Sequence, residues 1–542
     1  MQVQTSGPPF RKAGGRGPRG PVRAMLHAHP AACAWLVAVL VGGAVFAAGA
    51  LTDLSLGDEN YHFRKAAHFA EAGQRLTHDP DYGPTVPPGI PYYDGPLWHG
   101  LLALLWRVTG PSVLVAQAYQ AVWVVLFVGL AWTAGRDLGG PAAGWWTAVM
   151  AASLPAALFF GVVLYVEVAM LALLAACAVL LIRRRVLLAG LVFGAAFLVR
   201  PPVAVGYPAF LAGCLLLNAP SWPKRLLSAF LGGLGVALPV VPDLVWRQIH
   251  LGTVGVVYMT RSGGDPEIPD SIRRMLLEKG PETFHWAASV LDPADVLMHV
   301  GVLVPVGLVL SLVLIRRLGR PAQGLWVVAV AFLVPQAAFM AVNRFPDVRY
   351  GMPVFPVLVL LAGWAVSAAL KRGPRRVLPA LMILVAAAQA GSVLAFVHGR
   401  RQVAPDTMAA MRQLSRLEVR RPPGFVLCPE PFVTTYSGRP ILWVAVNPGA
   451  FFFRWSPEKQ WTLLDYYGVE FIAVPQHRVY DDTKTKHTGG MPRSYVERLP
   501  ELPYVVNDPV IRRGGLTVYR VRARGPVSGG AAGSSGGGPA SP

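Results

Sequence analysis

Two adjacent carboxylates, Asp58 and Glu59, sit in the run Gly57-Asp58-Glu59-Asn60-Tyr61-His62-Phe63, just after the first long apolar stretch, Ala31–Leu51. A carboxylate placed there can take the proton of an attacking hydroxyl while that oxygen displaces a good leaving group. The plain alternative is a solvated pair, or acids favoured by the dipole at the start of a helix over Asn60–Gly73. Their company argues for chemistry. Glu167 is an acid a few residues into an apolar segment, and an ionisable group there is a site candidate by default. Arg200, Arg344 and Arg349 stand at the ends of later apolar segments, where the planar guanidinium fork suits phosphate oxygens. The run from Gly83 to Pro96 is too rich in proline for regular structure and presents Asp94 beside Tyr92 and Tyr93, as a rigid connector or as a cleft wall.

The elements that must position these groups are membrane helices. Of 542 residues, 54% are hydrophobic and only 14% charged, with mean hydropathy +0.45; a soluble domain carries about 25% charge. Apolar segments that fit a bilayer crossing are Ala31–Leu51, Ser112–Ala134, Ala142–Phe160, Leu164–Ile182, Leu187–Val199, Val203–Leu217, Leu226–Trp246, Val296–Ile315, Gln323–Val342, Tyr350–Leu370 and Val377–Val397. Arg200-Pro201-Pro202 must break the stretch from Leu187 to Leu217, because proline cannot continue the hydrogen-bond ladder. The +20 net charge comes in short clusters between apolar runs, which is orientation signalling and not a nucleic-acid footprint. Arg11 to Arg23, Arg183-Arg184-Arg185, Lys224-Arg225, Arg316-Arg317 and Lys371-Arg372 all fall in the cytoplasm if Pro96–Thr109 lies in the interface as an amphipathic helix. Asp58, Glu59, Glu167, Arg200, Arg344 and Arg349 then share the opposite, extracytoplasmic face.

Four regions follow: a basic N-terminus over 1–24, expected to be disordered; the transmembrane domain, 25–398; a small extracytoplasmic α/β domain, 399–522; and a Gly/Ser/Pro tail, 523–542, also expected to be disordered. In the α/β domain, Gly424–Cys428, Ile441–Val446, Val469–Val474 and Leu516–Val521 read as strands, and Asp406–Val419 and Pro457–Tyr467 as helices, the latter stopped by Gly468. Cys33, Cys177 and Cys214 lie in apolar segments and Cys428 stands alone, so no disulfide framework is available. No His-x-x-x-His pair falls on a predicted helix, and no metal site is assigned.

Taken together, Asp58-Glu59-Asn60-Tyr61-His62-Phe63, Thr85-Val86-Pro87-Pro88-Gly89, Leu164-Tyr165-Val166-Glu167, Phe197-Leu198-Val199-Arg200, Asn343-Arg344 and Arg349-Tyr350 resemble the GT-C superfamily of multi-pass glycosyltransferases. Their order and spacing look most like the dolichyl-phosphate-glucose-dependent alpha-1,2-glucosyltransferase family, from which the C-terminal domain is a departure. Arg349-Tyr350-Gly351-Met352-Pro353 also resembles protein mannosyltransferases and aminoarabinose transferases. The resemblance implies an α-helical polytopic membrane protein of about eleven spans plus interfacial helices. It implies inverting transfer from a polyprenyl-phosphate sugar donor to a lipid-, glycan- or protein-linked acceptor at the cell membrane, with no cofactor. Asp58 would be the general base and Glu59 would orient the acceptor, while Arg200 and Arg349 hold the phosphate and His62, Asp94, Glu167, Arg344 and Tyr350 complete the substrate site. A lipid or lipid-linked-sugar flippase could use similar charges, but structural repeats would be expected of it and none is seen. A third reading is a C-terminal binding domain on an inert anchor.

The topology can be tested with single cysteines in a cysteine-free background and an impermeant maleimide on intact cells. Position 58 should label and positions 184 and 317 should not. Labelling at 184 but not at 58 would reverse the assignment.

Overall fold

The computed structural model of the chain describes residues 29–54, 57–76, 81, 95–217, 221–251, 298–342, 348–371, 377–442, 452–481 and 490–524. Helix dominates up to residue 400, in the order α1 (Pro30–Ala50), α2 (Gly57–Ala72), α3 (Pro96–Thr109), α4 (Val113–Gly139), α5 (Pro141–Ala152), α6 (Pro155–Val162), α7 (Glu167–Ile182), α8 (Val186–Val199), α9 (Tyr207–Leu217), α10 (Trp222–Leu251), α11 (Leu303–Val313), α12 (Arg320–Val342), α13 (Phe355–Leu370) and α14 (Val377–Arg400). Among the described residues, six helices are long and apolar enough to cross a membrane, and the pair α5–α6, bent by 53°, passes as one broken span. Four shorter apolar segments, α7, α8, the stretch from Pro201 to Leu217, and α11, complete a polytopic helical membrane fold. Among the described residues, helix covers most of each apolar segment marked in the sequence.

Prolines set where the helices start and break. They open α1, α3, α5 and α6, where the missing N–H costs nothing. Pro155 also produces the α5–α6 bend. After Arg200 the chain takes a 3₁₀ turn over Pro201–Gly206 before α9 begins, so the expected break is present. Helix α13 is the central pillar: 78% of its apolar window is buried, against 17% for α10 and α14, which lie at the periphery. Helices α8 and α10 pack backbone to backbone. A Cβ on Gly190 would collide with the Gly232 carbonyl, and one on Gly235 with the Leu187 carbonyl, so small residues allow the close approach.

Helix α2 begins at Gly57, not at Asn60 as the sequence suggests, so the acid pair lies in its first turn. Helix α3 spans the very residues expected of the amphipathic segment. It buries Trp98, His99, Leu102, Ala103 and Trp106 and leaves Leu101, Leu104, Leu105 and Val108 exposed. Its C-cap, Gly110, has φ +76° and donates to the Trp106 carbonyl at 2.7 Å.

After α14, helix α15 (Pro405–Arg416) leads into an α/β unit with β1 (Phe425–Leu427), β2 (Val469–Pro475), β3 (Val479–Tyr480), β4 (Met491–Pro492), β5 (Ile511–Arg513) and β6 (Leu516–Arg520). The main sheet has the order β1-β2-β6-β5, with β1 and β2 parallel and the other pairs antiparallel. The expected strand Ile441–Val446 is reduced to a bridge between Ile441 and Val426, and its continuation from 443 lies outside the described residues. The helix expected over Asp406–Val419 stops at Arg416. Strands β3, β4 and β5 are too short to carry an alternating pattern and were not anticipated. Helix Pro457–Tyr466 is closed as expected by Gly468, at φ +63°. All four cysteines are buried and free.

This unit is docked on the membrane helices. Tyr61 and Phe69 of α2 and Ala103 of α3 share one apolar cluster with Met411, Leu414, Val426, Phe432 and Phe471. Asp81 adds a polar tie: its carbonyl accepts from the Ile441 N–H at 2.8 Å, and its carboxylate lies 2.6 Å from both Arg64 Nε and His68 Nε2. Burial raises the Asp81 pKa, but the hydrogen bonds from His68 and Arg64 outweigh it and hold the carboxyl below its ordinary value.

Gly190→Leu should separate α8 from α10. Overpacking of this kind costs about 1–3 kcal/mol, or more where backbone must move, and the loss should appear as a lower Tm of the detergent-purified protein. Gly43→Leu, on an open helix face where a Cβ meets nothing within 4 Å, should leave it unchanged.

Candidate active site

Asp58, at the N-terminus of α2, places Oδ2 2.7 Å from Nη1 of Arg349, which lies 291 residues further along the chain. Arg349 comes from the 3₁₀ turn Val348–Val354 that leads into α13. The pair stays in contact with solvent, Arg349 being 22% and Asp58 36% exposed in their side chains. The Arg349 guanidinium lies over the ring of Tyr165, 5.4 Å from its centroid. Next to Tyr165, Glu167 opens α7 and faces Arg200 at the end of α8, with Arg200 Nη2 3.3 Å from Glu167 Oε1. Asp58, Arg349, Glu167 and Glu59 all act electrostatically on the Tyr165 hydroxyl, so one aromatic residue links both acid–arginine pairs.

Glu59 faces the other way, into protein. Its carboxylate and the Arg401 guanidinium are both fully buried and paired; Nε and Nη2 of Arg401 donate to its two oxygens, and the Leu164 N–H donates to Oε1 at 3.2 Å. Arg401 also donates to the Gly49 carbonyl at 3.2 Å and to the Thr52 hydroxyl at 2.6 Å. The end of α1, the start of α2, the turn before α7 and the end of α14 therefore meet at one ion pair. Nearby, the Leu54 N–H donates to the Tyr436 hydroxyl at 2.9 Å and the Val403 N–H to Asp53 Oδ2 at 3.0 Å. Burial pushes the Tyr436 phenol up to about 12, so it stays neutral.

A second set of contacts holds Tyr165. The side-chain amide of Gln120 donates to the carbonyls of Phe160 and Tyr165, each at 2.6 Å, and so satisfies backbone freed by the α6–α7 break. Its oxygen accepts from the Trp98 indole at 3.2 Å, and Tyr119 donates to the Trp98 carbonyl at 3.1 Å, which ties α3 to α4. His62 packs edge-on against Tyr165 and lies 2.9 Å from His99 of α3.

The structure thus brings Asp58, Arg349, Glu167 and Arg200 together around Tyr165. Two expectations change. Glu59, with both oxygens engaged in a buried pair, is not placed to touch an acceptor; it anchors the helix that carries Asp58. His62, 3% exposed, lies beneath Tyr165 and is not open to a substrate. Asp94 and Arg344 lie outside the described residues, as does the side chain of Tyr350, whose backbone is in the Val348–Val354 turn. Sequence reasoning missed Arg401 and Gln120, and it quoted Tyr165 in the motif Leu164-Tyr165-Val166-Glu167 without giving it a role. A polar Gln120 within an apolar segment was the signal for one of them; Arg401, beside Arg400 at a helix end, looks like an ordinary flanking cation.

No family model and no curated protein matches the chain. Solved structures do. ArnT from Cupriavidus metallidurans bound to undecaprenyl phosphate is 15% identical, with TM-score 0.59 over 91% of this chain and 98% of that one. The Archaeoglobus fulgidus oligosaccharyltransferase in its apo form is 14% identical, with TM-score 0.55 over 83% of this chain and 70% of that one. The archaeal oligosaccharyltransferase AglB from Archaeoglobus fulgidus, in complex with an inhibitory peptide and a dolichol-phosphate, is 12% identical, with TM-score 0.52 over 83% and 69%. The chain therefore has the polytopic fold of these proteins.

Arg401→Met should strand the Glu59 charge, and breaking a buried pair typically costs about 3–5 kcal/mol. The double variant Glu59→Gln/Arg401→Met should regain most of that loss, read as Tm in a thermal unfolding series. Equal Tm values for wild type and Arg401→Met would remove the pair from its anchoring role.

Proposed function

We propose that this protein is a membrane glycosyltransferase that moves a sugar from a polyprenyl-phosphate donor to an extracytoplasmic acceptor by inverting displacement, with Asp58 as general base. The observation that carries the reading is the half-open Asp58–Arg349 pair at a helix N-terminus, 2.7 Å apart, beside the deeper Glu167–Arg200 pair. The fold shared with ArnT and AglB, solved with undecaprenyl phosphate and dolichol-phosphate, supports a lipid phosphate as the leaving group. The C-terminal unit and Arg349-Tyr350-Gly351-Met352-Pro353 favour a transferase of the ArnT kind over the alpha-1,2-glucosyltransferase family.

In the proposed step the acceptor hydroxyl oxygen bonds to the anomeric carbon from the face opposite the phosphate. The bond from that carbon to the phosphate oxygen breaks, its electron pair leaves on the polyprenyl phosphate, and the hydroxyl proton passes to Asp58. Configuration at the anomeric carbon inverts. Arg349 fits both ends of this displacement, since Nη1 donates to the Asp58 carboxylate in the free site and the rest of the guanidinium can turn to the departing phosphate. Arg200, with its charge partly offset by Glu167, is the second cation available to that phosphate. The Tyr165 ring, buried under the Arg349 guanidinium, supports that cation from below. Glu59 and His62 act by position only. Asp94, Arg344 and Tyr350 remain candidates for substrate contacts.

Transfer of labelled sugar from polyprenyl-phosphate sugars in membranes tests the proposal. Asp58→Asn keeps the shape but cannot take the proton, and loss of a general base typically costs about 10²–10⁴-fold in rate. Arg349→Lys, which loses the bidentate fork, should also fall. Undiminished transfer by Asp58→Asn would remove Asp58 from the base role.

A further inference from the structure

A groove of about 440 Å³ runs along the outer side of α3, far from the Asp58 end of α2. Its walls are Phe69, Leu97, Leu101, Leu104 and Leu198, and its polar end is made by Gln74, Arg75 and Arg107. The stretch of α2 from Asp58 to Ala72 is about 20 Å long at ~1.5 Å per residue, and Arg75 lies beyond it. The groove's cations are therefore a different set from those around Tyr165.

Those cations are arranged as a receptor. Arg75 is bound on one side only: Nη1 lies 2.6 Å from Asp243 Oδ1, and the guanidinium lies over the Trp246 ring at 3.6 Å. Asp243 is shared, because Arg247 Nε is 2.7 Å from its other oxygen. Nη2 of Arg75 is buried with no hydrogen-bond partner among the described residues. Arg107 is exposed, forms no ion pair among the described residues, and sets its guanidinium against Gly73 at the C-terminal end of α2. Two guanidinium groups thus converge on that end at the head of an apolar channel. The channel floor is bare at Gly100, where a Cβ would meet nothing within 4 Å. Leu101 and Leu104 are 39% and 57% exposed, so the apolar wall lacks a protein partner among the described residues.

We propose that this groove binds an anionic phospholipid of the surrounding bilayer, its phosphate on Arg75 and Arg107 and an acyl chain along Leu97, Leu101, Leu104 and Leu198. Charge complementarity selects the occupant. A zwitterionic lipid brings its own cation to a site that already holds two, whereas phosphatidylglycerol brings only the phosphate. The bound lipid would brace α3, whose opposite face carries Trp98 and His99 against Gln120 and His62. The inference requires a membrane-embedded chain and does not depend on the transferase reading.

Native mass spectrometry of the full-length protein in detergent, titrated separately with phosphatidylglycerol and phosphatidylcholine, tests this. Phosphatidylglycerol should bind one tight site on wild type and on Asp58→Asn, and phosphatidylcholine about tenfold or more weakly. Arg75→Gln/Arg107→Gln should weaken phosphatidylglycerol about tenfold or more. Gly100→Leu puts a side chain into the channel from a position where a Cβ meets nothing within 4 Å and improves helix propensity, so it should abolish the site in a folded protein. Should the double variant fail to fold, Arg107→Gln alone, at an exposed residue, gives the same readout. Equal binding of both lipids, or binding unchanged in Gly100→Leu, would overturn the proposal. Stoichiometric displacement of phosphatidylglycerol by polyprenyl phosphate would also overturn it, assigning the groove to the donor's chain.

Discussion

The buried ion pair between Glu59 and Arg401 is the constraint on which the rest of the site depends. Two charges withdrawn from water carry a desolvation penalty of several kcal/mol each, which only close geometry and further hydrogen bonds can offset. The Leu164 N–H, the Thr52 hydroxyl and the Gly49 carbonyl supply those bonds. Because the partners are 342 residues apart, satisfying this one pair fixes the first and last membrane helices against the start of α2. Successive residues on a helix are rotated by about 100°. Once Glu59 points into the protein, Asp58 is turned toward the rim, where Arg349 meets it.

Every other charged group of the site lies where a helix starts, stops or breaks. Glu167 opens α7 and Arg200 closes α8, so each sits at the helix end whose dipole favours its sign. The breaks are needed for another reason. A charge in mid-helix would face lipid or packed apolar side chains, whereas a broken helix leaves backbone polar groups that can be paired and a gap that can hold a side chain. Gln120 does that pairing for the carbonyls of Phe160 and Tyr165. Proline enforces the geometry: Pro155 bends α6 away from α5, and Pro201-Pro202 ends α8 at Arg200.

Much of this was legible in the sequence because charge and proline stand out against apolar runs. The span positions, the break after Arg200, and the convergence of Asp58, Glu167, Arg200 and Arg349 follow from that contrast, and so do strands β1, β2 and β6. The division of labour between Asp58 and Glu59 was not legible. Adjacent acids look equivalent in sequence, and only a partner hundreds of residues away distinguishes them. Arg401 gave no signal, since a cation beside Arg400 after a membrane helix reads as a flanking charge. The start of α2 was set too late because Gly57 is a poor helix former; the acids at its first turn, favoured by the helix dipole, point to the earlier start.

The acid–arginine pairs differ in exposure, and exposure separates their roles. Glu59–Arg401 is sealed, so its full strength goes into holding the frame, and exchange of partners would leave a buried charge uncompensated. Asp58–Arg349 is wet enough that its attraction is screened and worth little as stability. A weak pair is what the proposed reaction would require, because a phosphate reaching Arg349 would have to compete with Asp58 for the same guanidinium. The C-terminal unit belongs to the frame as well: Tyr61 and Phe69, on the same helix as Asp58, are buried against its sheet and helices. Helix α2 is thereby held at its start by an ion pair and along its length by apolar packing. The exchangeable contact is left at Asp58, which faces the rim.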